Sequence, residues 1–244
     1  MPVIKATIEY DGTDFCGFQK QPSVRTVQNE LEWGLGRVFR NPTKIIGAGR
    51  TDAGVHATGQ VVNFFAPEWF PLGNLRVALN SSLPIDIRIK GVEEVDDRFH
   101  ARYSAKSRKY VYVVLNREVP SALLARYTWH LTGRLDIPGM RAAAEMLVGT
   151  HDFCTFGMPD KPGQSTLRDV MDIRIGRRSD LVILTIKANA FLRGMARAIV
   201  GSLVDVGRCR LAPEAILEIL GARDRQAVRV IAPPRGLYLT RVEY

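Results

Sequence analysis

The sequence predicts an α+β fold made of two halves, each with antiparallel strands and helices. In several short segments apolar and polar residues alternate with a period of two, which is typical of half-buried strands. In other segments the apolar residues recur every three or four positions, which indicates amphipathic helices. The elements of the first half follow the order β-α-β-β-α-β, and the pattern restarts with additional elements after residue 104. This order favours an α+β protein over a regular βαβ chain.

The first half begins with a strand over residues 4–10, in which apolar residues alternate with polar ones. Thr26 then precedes a helix, because its hydroxyl is a suitable N-cap. The apolar residues of this helix are Val27, Leu31, Leu35 and Val38. The remaining predicted elements are strands over 44–48 and 60–65, a short helix around Leu75, and a strand that begins at Ile85 and stops before the polar stretch 93–102.

The second half begins with a strand over residues 106–115, which carries Tyr110 and Tyr112 on one face. Asp136 and Pro138 are typical of a helix N-terminus and predict a helix through Leu147. The remaining predicted elements are strands over 170–175 and 181–188 joined by the turn 176–180, helices over 192–206 and 213–220, and a last strand over 237–244.

The charge is divided unevenly between the two halves. The chain of 244 residues has a net charge of +9 and a pI near 9.7, which favours a polyanionic partner. Residues 1–104 hold 12 basic and 12 acidic side chains, whereas residues 105–244 hold 22 basic and 13 acidic ones. We therefore predict two domains, 1–104 and 105–244, and expect the second to supply most of a phosphate-binding surface. The alternative is a basic surface that is merely solvated.

The cysteines and the N-terminal residues exclude several classes of protein. Cys16, Cys154 and Cys209 are isolated, and no Cys/His cluster occurs, so we expect neither a zinc site nor a disulfide framework. The first residues lack the apolar run of a signal peptide, and no apolar stretch is long enough to span a bilayer. These features predict a cytoplasmic protein.

The segment GAGRTDAGVH over residues 47–56 is the most informative motif. It opens like the Gly-x-Gly fingerprint of dinucleotide-binding proteins, but Asp52 stands where a third glycine belongs and would repel a pyrophosphate. This disfavours a nucleotide-dependent oxidoreductase. The glycines at 47, 49 and 54 instead predict a tight loop in which the backbone approaches another segment closely. A lone aspartate in such a loop is more often a turn former than a catalyst.

The same segment closely resembles the active-site signature of the tRNA pseudouridine synthase A family. Further resemblances to that family are collinear over nearly the whole chain and occur at residues 10–13, 17–19, 25–28, 99–102, 109–112, 189–191, Met195, Arg197, Gly201 and 236–239. The chain departs from the family pattern at Phe18, where the family often has tryptophan, and at Gly194 and Ala196, which replace bulkier residues.

The resemblance implies a pseudouridine-synthase fold, with two RRM-like or ferredoxin-like halves, a joined antiparallel sheet and a central basic cleft. It implies an isomerase that converts uridine to pseudouridine in the anticodon stem-loop of tRNA, at positions 38 to 40. Substrate and product are isomers, so no cofactor, metal or second substrate is expected. The family also implies a homodimer with tRNA as its partner.

The resemblance also assigns roles to four residues. Asp52 is the expected nucleophile and Arg197 the ion-pair partner that keeps it ionised. Tyr110 is expected to stack on the target uracil, and Arg50 to fill the space of the flipped nucleotide or to hold its phosphate. The chemistry leaves open whether Asp52 attacks C1′ or C6 or stabilises an oxocarbenium-like species. Without the resemblance, Arg197 is more typical of a solvated helix arginine and Tyr110 of a half-buried packing residue.

A non-catalytic RNA-binding module is the remaining alternative. Paired α+β halves with aromatic residues on their strands also suit passive RNA binding. Such a module gains nothing from a carboxylate next to phosphates, so Asp52 distinguishes the two hypotheses.

Overall fold

The computed structural model describes residues 1–244 and divides into two compact units. The first unit comprises Met1–Lys106 and Leu239–Tyr244, and the second comprises Ser107–Tyr238. Both units combine helices with mostly antiparallel strands, which confirms the predicted α+β class. The chain returns to the first unit with its last residues. The division into domains 1–104 and 105–244 stays a prediction.

The first unit has the element order β-α-β-β-α-β that the sequence predicts. Its elements are β1 (Val3–Tyr10), α1 (Val27–Phe39), β2 (Ile46–Gly47), β3 (His56–Phe65), α2 (Leu72–Ser82) and β4 (Ile87–Val95). β1 lies between β4 and β3 and is antiparallel to both, and β2 pairs antiparallel with the far edge of β3. Thr26 caps α1 as predicted, because its side chain accepts a hydrogen bond from the Asn29 backbone N–H.

The strand β4 differs from its predicted extent at both ends. It begins at Ile87, and the side chain of Ile85 is 88% exposed. It also continues through the acidic residues to Val95, because Glu93 pairs with Lys5 and Glu94 with Ile4 in the ladder with β1. The Lys5 Nζ atom lies 2.8 Å from Glu93 Oε1. Pairing with β1 therefore overrides the polar composition that predicts an earlier end.

The second unit is built on an antiparallel sheet with one additional parallel strand. Its elements are β5 (Ser107–Asn116), β6 (Trp129–Leu131), α3 (Ile137–Glu145), β7 (Gly149–Asp152), β8 (Leu167–Arg178), β9 (Leu181–Ala188), α4 (Met195–Gly207) and α5 (Ala215–Gly221). The strand order is β5-β9-β8-β7, and β6 pairs parallel with β5. The last strand, β10 (Leu237–Glu243), contributes its C-terminal residues to the first unit, where it is hydrogen-bonded to β3.

Three features of the second unit differ from the sequence prediction. The short strands β6 and β7 are not predicted, because three or four residues carry too little alternation to identify a strand. The hairpin between β8 and β9 is tighter than predicted and turns at Ser179, whose φ of 53° is left-handed. The helix α4 begins at Met195 instead of residue 192, because Gly194 precedes it with φ +78°.

None of the helices in the chain has the length and apolar character needed to cross a membrane.

The helix α4 is the most buried helix of the second unit, and a glycine allows it to pack closely. Apart from Arg197, every residue from Met195 to Gly207 is buried. A Cβ atom added at Gly201 would lie 1.9 Å from the Val230 carbonyl oxygen, far inside van der Waals contact. Gly36, in the interior of α1, has no such neighbour, since an added Cβ would lie 3.8 Å from the nearest atom.

We therefore expect alanine to have opposite effects at these two helical glycines. Gly201→Ala should lower the free energy of unfolding by about 1–2 kcal/mol, because the cost of overpacking exceeds the gain in helix propensity. Gly36→Ala should raise it by about 0.5–1 kcal/mol, because only the propensity changes. Chemical denaturation of both variants checks this, and a stabilised Gly201→Ala protein contradicts the close packing.

Candidate active site

Asp52 lies in the loop between β2 and β3, within a tight turn. The Asp52 carbonyl accepts a hydrogen bond of 3.2 Å from the Val55 N–H, and Gly54 in this turn has φ +75°. A turn with a positive φ at its third position requires glycine or asparagine there. The Asp52 side chain is half-buried, whereas Arg50 is exposed. The turn therefore presents a carboxylate from a backbone whose shape depends on Gly54.

The segment of residues 12–18 packs directly against this loop. The Phe18 N–H donates to the Thr51 carbonyl at 3.0 Å. Gly17 has φ +92°, and an added Cβ there would lie 2.9 Å from the same carbonyl oxygen. At Gly12 an added Cβ would lie 2.0 Å from the Val55 carbonyl oxygen. The segments 10–13 and 17–19, which resemble the tRNA pseudouridine synthase A family, thus supply the glycines that let this segment approach the Asp52 loop closely.

The motif at residues 25–28 forms the next layer. The Cys16 N–H donates to the Arg25 carbonyl at 2.9 Å, and the Gln28 N–H donates to the Phe18 carbonyl at 2.9 Å. The Arg25 guanidinium donates two hydrogen bonds to Asp86, of 2.7 and 2.9 Å. Hydrogen bonding to Asp86 raises the pKa of Arg25 above its ordinary value. The beginning of α1 is thereby fixed to the segment that supports the Asp52 loop.

His56 fixes the end of the loop. Its side chain is 2% exposed, and Nδ1 accepts a hydrogen bond of 3.0 Å from the Gly12 N–H. Asp11, which precedes Gly12, accepts a hydrogen bond of 3.0 Å from the Thr13 N–H through Oδ1. The imidazole therefore joins the first residue of β3 to the residues that follow β1. These contacts give His56 a structural role.

Tyr110 lies in the second unit, on β5 opposite Ile186 of β9. Its ring is 7% exposed and makes an edge contact with Phe191, with ring centroids 4.8 Å apart and planes at 76°. Phe191 follows a turn in which the Asn189 side chain accepts a hydrogen bond of 3.1 Å from the Asp169 N–H. Phe191 is a neighbour of Tyr110 and is not among the predicted site residues. The resemblance at residues 189–191 was the available signal.

Arg197 is half-buried on α4, and its guanidinium is anchored to the backbone. Its Nε donates to the Ala232 carbonyl at 2.7 Å, and the Ala232 N–H donates back to the Arg197 carbonyl at 3.1 Å. Burial raises the pKa of Tyr112 above its ordinary value, and the positive charge of Arg197 opposes that rise. The two hydrogen bonds with Ala232 hold Arg197 in place, which distinguishes it from a solvated helix arginine.

The four predicted site residues are distributed over both units. Asp52 and Arg50 share one loop of the first unit, whereas Tyr110 and Arg197 belong to β5 and α4 of the second unit. The roles given to them by the family resemblance stay predictions. No group of three or more His, Cys, Asp or Glu side chains is arranged to hold a metal ion.

The motifs around the Asp52 loop fall within a match to a known family. A family model described as tRNA pseudouridine synthase matches residues 6–104 and 143–244. This chain belongs to the tRNA pseudouridine synthase family. It is therefore an isomerase that acts on tRNA, which confirms the resemblance found in the sequence.

Curated relatives in this family match the chain from end to end. The tRNA pseudouridine synthase A of Moorella thermoacetica is 43% identical over 246 residues, which cover 100% of both chains. That of Thermoanaerobacter sp. (strain X514) is 41% identical over 241 residues, or 99% of each chain. That of Bacillus pumilus is 41% identical over 243 residues, covering 99% of this chain and 98% of the relative.

Proposed function

We propose that this tRNA pseudouridine synthase isomerises uridines at positions 38 to 40 of the anticodon stem-loop and uses the carboxylate of Asp52. The observation that carries the proposal is the half-buried acidic side chain of Asp52, presented by a turn that neighbouring backbone holds in place. The family-like signature around Asp52 supports its catalytic role, and the likeness to the tRNA pseudouridine synthase A family supports the anticodon stem-loop as the target.

The chemistry needs a fixed anionic group near the ribose and the base. The bond between N1 of uracil and C1′ breaks, the base turns, and C5 forms a new bond to C1′. C5 then loses its proton and N1 gains one, so the reaction is a balanced isomerisation. A carboxylate acts in such a reaction as a nucleophile at C1′ or C6, or by stabilising an oxocarbenium-like species. Each route depends on placement of the carboxylate within a fraction of an ångström.

We propose further that Arg197 is the counter-charge of Asp52 and that Tyr110 stacks on the target uracil. The backbone anchor at Ala232 supports the first role, because it pre-orients a guanidinium whose flat face and paired N–H groups suit a carboxylate. The edge contact with Phe191 supports the second role, because it fixes the plane of the Tyr110 ring. Arg50, exposed two residues before Asp52, is proposed to fill the space of the extruded nucleotide or hold its phosphate.

Tritium release tests the reaction and its position together. Transcribed tRNAs that carry 5-tritiated uridine at only one of positions 38, 39 and 40 should each release tritium to water, because C5 loses its hydrogen only on isomerisation. A transcript with labelled uridine elsewhere and cytidine at these three positions should release none. Release from that transcript at the same rate contradicts the proposed position.

We expect Asp52→Asn to abolish tritium release while the Kd for tRNA changes by less than about threefold. The amide keeps the shape of the side chain but cannot act as a nucleophile, and RNA affinity comes mainly from phosphate contacts. Asp97→Asn is the matched control, because it removes the same charge from an exposed aspartate of the same unit and should keep wild-type activity. A folded Asp52→Asn enzyme with robust release contradicts the role of Asp52.

Salt dependence separates the two roles open to Arg197. If it pairs with Asp52, Arg197→Met should lower the single-turnover rate at saturating enzyme by about 100-fold or more, with an unchanged salt dependence of tRNA binding. Arg197→Lys should restore only part of the rate, because an ammonium lacks the planar fork. Arg229→Met, at an exposed arginine of the same unit, serves as the control. A weakened affinity whose salt slope falls by about one, with a normal rate, would assign Arg197 to phosphate binding.

We also infer from the family resemblance that the protein works as a homodimer in the cytoplasm. Sedimentation at working concentrations should therefore give twice the chain mass of 27.2 kDa. A fully active monomer at those concentrations contradicts the dimer.

A further inference from the structure

A buried polar cluster lies beneath the Asp52 loop and has no role in the reaction described above. It consists of Tyr10, Thr51 and Gln60, whose exposed fractions are 3%, 7% and 0%. Tyr10 is the last residue of β1, Gln60 lies within β3, and Thr51 immediately precedes Asp52. Polar side chains buried this deeply are costly unless they are hydrogen-bonded, so their partners show what they hold.

Gln60 holds the beginning of the loop. Its Nε2 donates to the Gly49 carbonyl at 2.8 Å, and its Oε1 accepts from the Val61 N–H at 3.1 Å. The two contacts fix the orientation of the amide, because a flipped amide would set a donor against a donor and an acceptor against an acceptor. Gly49 is therefore tied to β3 by a side chain as well as through its neighbour Ala48, whose N–H donates to the Val61 carbonyl at 2.8 Å.

Tyr10 contacts the loop at Thr51, the residue that precedes Asp52. Its hydroxyl lies 2.7 Å from Thr51 Oγ1. Burial raises the pKa of Tyr10 to about 12, so the hydroxyl keeps its proton at neutral pH and the contact with Thr51 joins two neutral hydroxyls. The backbone of Tyr10 is held separately, by pairing with Ala57 in the ladder between β1 and β3.

We infer that Tyr10, Thr51 and Gln60 are positioning residues that fix the Asp52 carboxylate for the reaction. The inference rests on the proposed function of Asp52. The sheet already holds Tyr10 and Gln60 through their backbones, so a phenylalanine and an apolar residue would serve the core equally well. Their polar groups instead reach Gly49 and Thr51, the residues on either side of Arg50. Hydrogen bonds in a buried environment are directional and strong, and they restrict the loop to one conformation.

The test removes the hydroxyls of Tyr10 and Thr51 first one at a time and then together. Tyr10→Phe and Thr51→Val should each lower the single-turnover rate by about 10-fold to 100-fold, because small displacements of a reacting group have effects of this size. The Kd for tRNA should stay within about twofold. The double variant should be no slower than the slower single variant, since one hydrogen bond is lost in all three. Thr51→Ser keeps the hydroxyl and should keep the rate within about threefold.

Stability distinguishes positioning from a merely structural role. Each single variant leaves the other hydroxyl of the pair buried without its partner, so it should unfold at a lower temperature than the wild type. The double variant removes both hydroxyls and should recover much of the lost stability. If the cluster positions Asp52, the rate stays low in the double variant although its stability returns. A rate that recovers together with stability, or that is normal in the folded single variants, overturns the inference. If Tyr10→Phe does not fold, Thr51→Val and Thr51→Ser still decide the question.

Two further variants complete the design. Tyr244→Phe deletes a tyrosine hydroxyl that donates to the Ala101 carbonyl at 2.9 Å in the same unit, and it should keep the rate within about twofold. An equal loss of rate in Tyr244→Phe would overturn the inference. Asp52→Asn is measured in parallel. If Asp52→Asn retains activity, the proposed function itself fails. If only the Tyr10 and Thr51 variants behave like the wild type, the positioning role fails and the role of Asp52 stands.

Discussion

The close approach of two backbones at Gly12 and Gly17 is the constraint on which the candidate site depends. Any side chain at Gly12 would overlap the Val55 carbonyl, and Gly17 combines a left-handed φ with close contact to the Thr51 carbonyl. With no side chains between them, backbone hydrogen bonds set the distance between the two segments. Such contacts have no alternative rotamers, so the loop that carries Asp52 is held more narrowly than a loop packed through flexible side chains.

Elements with strong local signals were predictable from the sequence. The alternation in β1, the N-cap Thr26 and the N-cap Asp136, whose carboxylate accepts from the Gly139 N–H, identify elements from neighbouring residues alone. Elements that depend on pairing with residues distant in the sequence were not predictable. Pairing with β1 carries β4 through its acidic residues, and pairing with β5 and β8 defines the short strands β6 and β7. The start of α4 depends on the conformation of Gly194, which the apolar periodicity does not report.

The same distinction applies to the candidate site. Resemblance to a known family identifies Asp52, because its signature is contiguous in the sequence. The hydroxyl contact between Tyr10 and Thr51 joins residues 41 positions apart, and alternation in β1 accounts for Tyr10 equally well as a core ring. The contact of Phe191 with Tyr110 spans a gap about twice as long. Side-chain hydrogen bonds across such distances become visible only once the strands are paired, since periodicity reports burial and not the polar atom that burial requires to be satisfied.

The net positive charge of the chain is concentrated in the second unit. The first unit holds 14 basic and 13 acidic side chains, whereas the second holds 20 and 12. A carboxylate near RNA phosphates opposes binding, so an enzyme that depends on one must obtain its affinity from other residues. We expect the surplus of positive charge in the second unit to supply most of that affinity, in addition to Arg50 within the loop. The Asp52 loop can then be specified by hydrogen bonds and glycines, whose geometry is insensitive to salt, while attraction to the RNA depends on ionic strength. Rate and affinity are for this reason expected to respond to different residues of the chain.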